Sequence, residues 1–85
     1  MERAFYFVSI PLHEEENIVE QTIRNMPGVM GVKCVCGGDY NFAIDIRGRN
    51  LKRVQEAKRD IDKAFNVRNG CYLSVINNGS EKLIH

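Results

Sequence analysis

No stretch of this sequence is apolar enough, for long enough, to cross a bilayer as a helix: the longest run, residues 4–10, falls far short of the roughly 20 residues required. Its aromatic and β-branched content reads instead as a strand. The N-terminus also lacks the basic region, apolar core and small-residue cleavage site of a secretory signal, which sets the expectation of a cytoplasmic protein away from the membrane. Cysteine is sparse and odd in number (Cys34, Cys36, Cys71), which argues against a secreted disulfide framework and for reduced thiols. Histidine is scarcer still: His13 and His85 are the only imidazoles that could activate Cys71 as a nucleophile, and His85 is terminal. Cys34 and Cys36 lie two apart on one strand face, where four zinc ligands are not on offer, so they are expected to be buried small apolar residues. No metal, no cofactor and no enzymatic activity are expected.

Net charge is small as well, at +1, yet unevenly spread. Glu14, Glu15, Glu16 and Glu20 have no base among them, and three consecutive acids at a helix start fan outward as a solvated, dipole-favoured run rather than converging for acid–base work. Residues 47–63 carry seven Lys or Arg against Glu56, Asp60 and Asp62. Such a helix attracts nucleic acid in some proteins, but the interspersed acids favour a solvated face that steers toward an acidic neighbour.

What is present is a regular succession of elements, with no linker or repeat. Residues 4–10 form a first strand that stops at Pro11, which lacks a backbone donor. Across residues 13–26, Ile18, Val19, Thr22, Ile23 and Met26 recur at helical spacing until Pro27-Gly28 ends the helix. Residues 29–36 alternate, with Met30, Val32, Cys34 and Cys36 assigned to one face and Lys33 to the other; Gly37-Gly38-Asp39 then turns into residues 40–46, where Tyr40, Phe42, Ile44 and Ile46 share a face. Asn50 is the expected N-cap of a second helix whose stripe is Leu51, Val54, Ala57, Ile61, Ala64 and Phe65. Residues 67–76 alternate again, with Val67, Cys71, Leu73 and Val75 on one side.

The order is β-α-β-β-α-β, the ferredoxin-like α+β fold: a four-stranded antiparallel sheet with two helices on one face. One domain is expected over residues 1–78, with a mobile tail at 79–85. Only one sheet face is covered by helices, yet the first strand is apolar on both sides. Phe5, Tyr6, Phe7 and Val8 are therefore the expected interface of a homodimer that packs sheet on sheet as a dimeric α/β barrel.

Four segments, in order, carry a resemblance: Met26-Pro27-Gly28-Val29 after the first helix, Gly38-Asp39-Tyr40-Asn41 in the hairpin turn, Asn50-Leu51 opening the second helix, and the return strand at 65–76. Together they resemble the effector-binding domain of the Lrp/AsnC transcription regulators, over nearly the whole chain. The resemblance implies a dimer with a shared sheet core, dimers assembled into larger rings, and small effectors, typically amino acids, held between dimers at the turn. It implies a stand-alone version without the helix-turn-helix, making no DNA contact of its own and acting in transcription regulation by joining full-length Lrp/AsnC regulators. This chain departs from the family pattern at Asn41, where Asp is usual, and at Phe65-Asn66-Val67, where a second Pro-Gly-Val is common.

The turn also has chemistry of its own. Gly37 and Gly38 expose backbone donors, Asp39 and Asn41 add acceptors and an amide, and Tyr40 can cover a bound molecule, so these five form the candidate ligand site; the plain alternative is a tight hairpin. Two other functions use the same element order. An RNA-binding module would stack bases on Phe5, Phe7, Tyr40 and Phe42, although the usual Lys/Arg-Gly-aromatic pattern is missing. A small ferredoxin-like dimeric enzyme would need an acid–base set that this sequence does not assemble.

Overall fold

Alternation along the first strand decides where the core lies. In β1 (Glu2–Ser9), Ala4, Tyr6 and Val8 point to one side and are buried, followed by Ile10 just beyond the strand. The computed structural model describes residues 1–13, 15–36 and 38–75. It continues through α1 (Glu16–Arg24), β2 (Val29–Cys34), β3 (Phe42–Gly48), α2 (Leu51–Phe65) and β4 (Asn69–Val75). The strands form one antiparallel sheet in the order β2-β3-β1-β4, the ferredoxin-like arrangement expected from the pattern.

The central pair fixes the register. Tyr6 lies opposite Ile44, Ala4 opposite Ile46 and Val8 opposite Phe42, so the fully buried Phe42, Ile44 and Ile46 share the face of the buried β1 residues. A slip of one residue would replace them with Ala43, Asp45 and Arg47. Each large apolar side chain is stabilised by roughly 2 kcal/mol on burial, so that slip is strongly disfavoured. Val19 and Ile23 of α1 and Val54, Ala57 and Ile61 of α2 close this core from above, with Met26, Val29, Phe65, Val67 and Tyr72 packed at its margin.

The helices are held at their ends by local chemistry. Asn50 caps α2 as expected, its side-chain oxygen accepting from the Arg53 N–H at 3.0 Å. Asn66 ends α2 in the left-handed conformation, φ 51°. Gly28 takes φ 88° after Pro27, where a side chain would also crowd the Ala57 Cβ at 3.1 Å.

Several expectations are corrected. α1 begins at Glu16, not His13: the preceding Glu15 supplies no side-chain cap, and the helix contributes only Val19 and Ile23 to the core. Ile18 and Thr22 face solvent, and the Thr22 hydroxyl donates to the Ile18 carbonyl instead. In α2, Leu51 and Ala64 are exposed because the buried stripe narrows to Val54, Ala57 and Ile61.

On β2 the strict alternation fails at a β-bulge between Val29 and Gly31. Val29 and Val32 both lie against core-face partners, Ile46 and Ile44, while Met30 is 61% exposed and does not share the face of Val32. Cys34 and Cys36 are exposed rather than buried, because β2 is an edge strand that ends at Cys34. Tyr40 precedes β3 and rests on Phe7, opposite to the buried Phe42. β4 spans Asn69–Val75; the expected end of its strand at Ile76, the domain boundary at 78 and the tail lie outside the described residues.

Candidate functional site

The uncovered face of the sheet is a grid set by the register. One cross-strand row runs Lys33, Ala43, Phe7, Cys71; the next runs Gly31, Asp45, Phe5, Leu73; a third holds Arg47, Arg3 and Val75. Tyr6 and Val8, expected at the interface with Phe5 and Phe7, point the other way into the core, because β1 alternates and the helices cover their side. Any partner on the open face therefore meets Phe5, Phe7 and Leu73, the last 50% exposed, with Met30 at the edge. Stacking of RNA bases loses Phe42 for the same reason, since that ring is fully buried.

A concavity of about 690 Å³ lies on this face rather than at the hairpin turn. Its floor includes Phe5, Phe7 and Ala43, and its walls include Met30, Lys33, Arg3, Arg24 and Asp45. Two small residues lie in its lining on adjacent rows: Gly31, opposite Asp45, and Ala43, opposite Lys33. Gly31 sits at the β2 bulge with its φ outside the left-handed region, and the nearest atom to an added Cβ would be Asp45 Cβ at 4.0 Å. Charge around the concavity is largely spoken for. Asp45 receives Arg3 through Nε and Nη2, both at 3.2 Å, and Arg47 at 3.5 Å, while the Arg3 guanidinium lies 4.7 Å from the Phe5 ring centre. Arg24 is tied to Glu20 and to the Val32 carbonyl. Lys33 makes no ion pair among the described residues.

The hairpin turn is built differently from its sequence description. Asn41 spends both ends of its amide on one residue: Nδ2 donates to the Ile10 carbonyl at 2.8 Å, and Oδ1 accepts from the Ile10 N–H at 3.0 Å. Its own N–H donates to the Val8 carbonyl, and its carbonyl accepts from Val35. Asn41 thus fastens the turn to the end of β1. Gly38 and Asp39 are exposed, and Tyr40 joins the turn to the open face through Phe7, ring centres 6.1 Å apart. Gly37 lies outside the described residues.

Between α2 and the core face of the sheet sits a polar cluster that sequence reasoning missed. The Tyr6 hydroxyl donates to Asp62, which also receives Lys58 at 2.8 Å, and the Lys58 ammonium lies 5.0 Å from the Tyr6 ring centre. Burial, then the hydrogen bond to Asp62 and its negative charge, raise the Tyr6 pKa well above its ordinary value. Tyr72 stands edge-on to Tyr6, and burial raises its pKa against the opposing charge of Lys58. Partial loss of solvent, then a hydrogen bond to Glu20 and the charges of Glu16 and Glu20, push the Cys34 thiol up to about 11. A thiol held protonated is a poor nucleophile. Among the described residues, no three His, Cys, Asp or Glu side chains gather where a metal could be held, and no helix is long and apolar enough to cross a membrane.

No family model matches the chain, and no curated protein matches it in sequence. Solved structures do match in shape. The hypothetical protein PHS023 from Pyrococcus horikoshii superposes with a TM-score of 0.74 at 20% identity, over the full length of both chains. FFRP-DM1 superposes with a TM-score of 0.74 at 21% identity, covering 89% of this chain and all of that one. The transcriptional regulator NMB0573 from Neisseria meningitidis, solved in complex with L-Met, gives a TM-score of 0.66 at 14% identity over 98% of this chain but 59% of its own length. At these identities the likeness establishes a shared fold, one found both in chains of this size and as part of longer transcriptional regulators.

Proposed function

We propose that this chain is a self-associating, small-molecule-responsive module of the Lrp/AsnC effector-domain kind, pairing through its open sheet face and acting on transcription through the assemblies it enters. The observation that carries this reading is the open face itself. Phe5, Phe7 and Leu73 form an apolar surface with no helix over it, flanked by the Arg3–Asp45–Arg47 cluster that would fix the orientation of a second sheet. The likeness in fold to a regulator solved with L-Met supports the choice of a small amino acid or similar polar effector.

In this assembly the turn at Gly38 and Asp39 meets a neighbouring pair. An effector held there would favour one assembly state by its differential affinity for the states. Light scattering coupled to size exclusion tests the pairing: the wild-type chain elutes as a dimer or larger, and Phe7→Asp elutes as a single chain with unchanged circular dichroism. Single wild-type chains at all concentrations would refute it. A thermal-shift panel of the twenty amino acids tests the sensing, and Gly38→Arg should abolish any response by filling the exposed turn.

A further inference from the structure

We propose that the cavity between α2 and the edge strand β4, at the Tyr72 hydroxyl, is a binding site for a small oxyanion, a carboxylate or a phosphate group. It lies on the helix side of the sheet, because Tyr72 pairs in register with the buried Tyr6, so the pairing proposed above leaves it open and neither reading depends on the other.

Tyr6 and Tyr72 are neighbours in one cross-strand row and stand edge to face, yet only one of their two hydroxyls is satisfied. Tyr6 donates to Asp62. The Tyr72 oxygen is buried with no hydrogen-bond partner among the described residues. Buried hydroxyls nearly always have one, so this one is set to donate to a group from outside. Asp62 is not that acceptor: one of its oxygens takes the Tyr6 hydroxyl and the other takes the Lys58 ammonium.

The surroundings of the hydroxyl select the class of occupant. A cavity of about 300 Å³ is lined by Gln55, Lys58, Arg59 and Tyr72, with no acid among them. Lys58 spends one of its three N–H donors on Asp62, and its charge acts on Tyr72. Arg59 makes no ion pair among the described residues. The other acids of α2 face elsewhere: Glu56 and Asp60 line the depression beside Gly28 and Gly48. A phenol, an ammonium and a guanidinium thus offer donors around one small space, and an oxyanion accepts from all three. Gln55 and Arg59 are exposed, so turning their long side chains admits a small ion without moving the backbone. A cation would meet Lys58 and Arg59 first, and an apolar molecule would leave the hydroxyl unsatisfied.

The test is an NMR titration of the full chain with sodium acetate and with sodium phosphate, each at constant ionic strength balanced by chloride, paired with thermal unfolding in the same buffers. The expected result is saturable shifts of the Gln55, Arg59 and Tyr72 amides and a melting temperature that rises with the anion, the tighter of the two marking the site as one for carboxylates or for phosphoryl groups. Tyr72→Phe keeps the ring and removes only the hydroxyl. It should bind at least about tenfold more weakly and lose that rise, while melting no lower than wild type in chloride alone. Arg59→Glu should weaken binding as much, whereas Lys52→Glu, the same charge change in the first turn of α2, should leave it unaltered. Absence of saturable shifts, undiminished binding by Tyr72→Phe, or equal losses in Arg59→Glu and Lys52→Glu would overturn the proposal. If Tyr72→Phe fails to fold, the comparison of the two exposed positions, Arg59 and Lys52, still decides the matter.

Discussion

Asn41 is bonded to Ile10 through both ends of its side chain, donating to the carbonyl and accepting from the N–H of the same residue. At neutral pH an amide offers both a donor and an acceptor in that spacing, and a carboxylate offers acceptors alone. Asn41→Asp would keep the acceptor but set a carboxylate against the Ile10 carbonyl, at an expected cost of about 1–2 kcal/mol at neutral pH. The deficit should shrink as the pH falls below about 4, where a protonated carboxyl donates again. Urea unfolding of the two proteins at both pH values measures it.

Gly28 and Ala57 face each other across the gap between the first helix's exit and α2. Gly28→Ala must hold a left-handed backbone and also push against the Ala57 Cβ at 3.1 Å, so a loss of about 1–2 kcal/mol is expected. Because Ala57 is the contact, Ala57→Gly in the same chain should recover only the steric part. Thermal or urea unfolding of the single and double variants separates the two contributions.

The Tyr6–Asp62 pair makes stability sensitive to alkaline pH. The folded chain holds the Tyr6 proton more tightly than the unfolded chain, whose value lies near 10.0. The associated stability is therefore complete below pH 10 and is lost as the pH climbs toward the folded value. Tyr6→Phe should cost about 1 kcal/mol near neutrality, since Asp62 keeps Lys58, and should flatten the alkaline decline. Part of the decline remains, because Tyr72 is shifted in the same direction.

Cys34 should resist alkylation although it is exposed. With its thiol near 11, the thiolate is on the order of one part in a thousand at about pH 8. Iodoacetamide followed by peptide mapping should find Cys34 slow, and Glu20→Gln should accelerate it by removing a hydrogen-bonded carboxylate that opposes ionisation. An unchanged rate in that variant would contradict the assigned cause.

The ferredoxin-like order was legible because each element announces itself locally: Pro11 and Pro27 end segments, Asn50 caps, and β1 and β3 alternate. What was not legible depends on contacts between elements. Tyr6 and Val8 share the apolar character of Phe5 and Phe7, and only the placement of the helices says which pair is inside. The β2 bulge moved Met30 away from Val32, and no residue type in Val29-Met30-Gly31 marks an extra position beyond the glycine itself. The partner of Asn41 lies 31 positions away and could not be read from spacing.

The bulge at Met30 has a further effect on how copies meet. β2 and β4 are the margins of the sheet, and flat margins invite strand-to-strand growth into open-ended fibrils. The extra residue twists one margin and breaks its even spacing of amide groups, which obstructs that route. In the pairing proposed above, association through the broad surface of the sheet would instead let growth terminate in a closed particle.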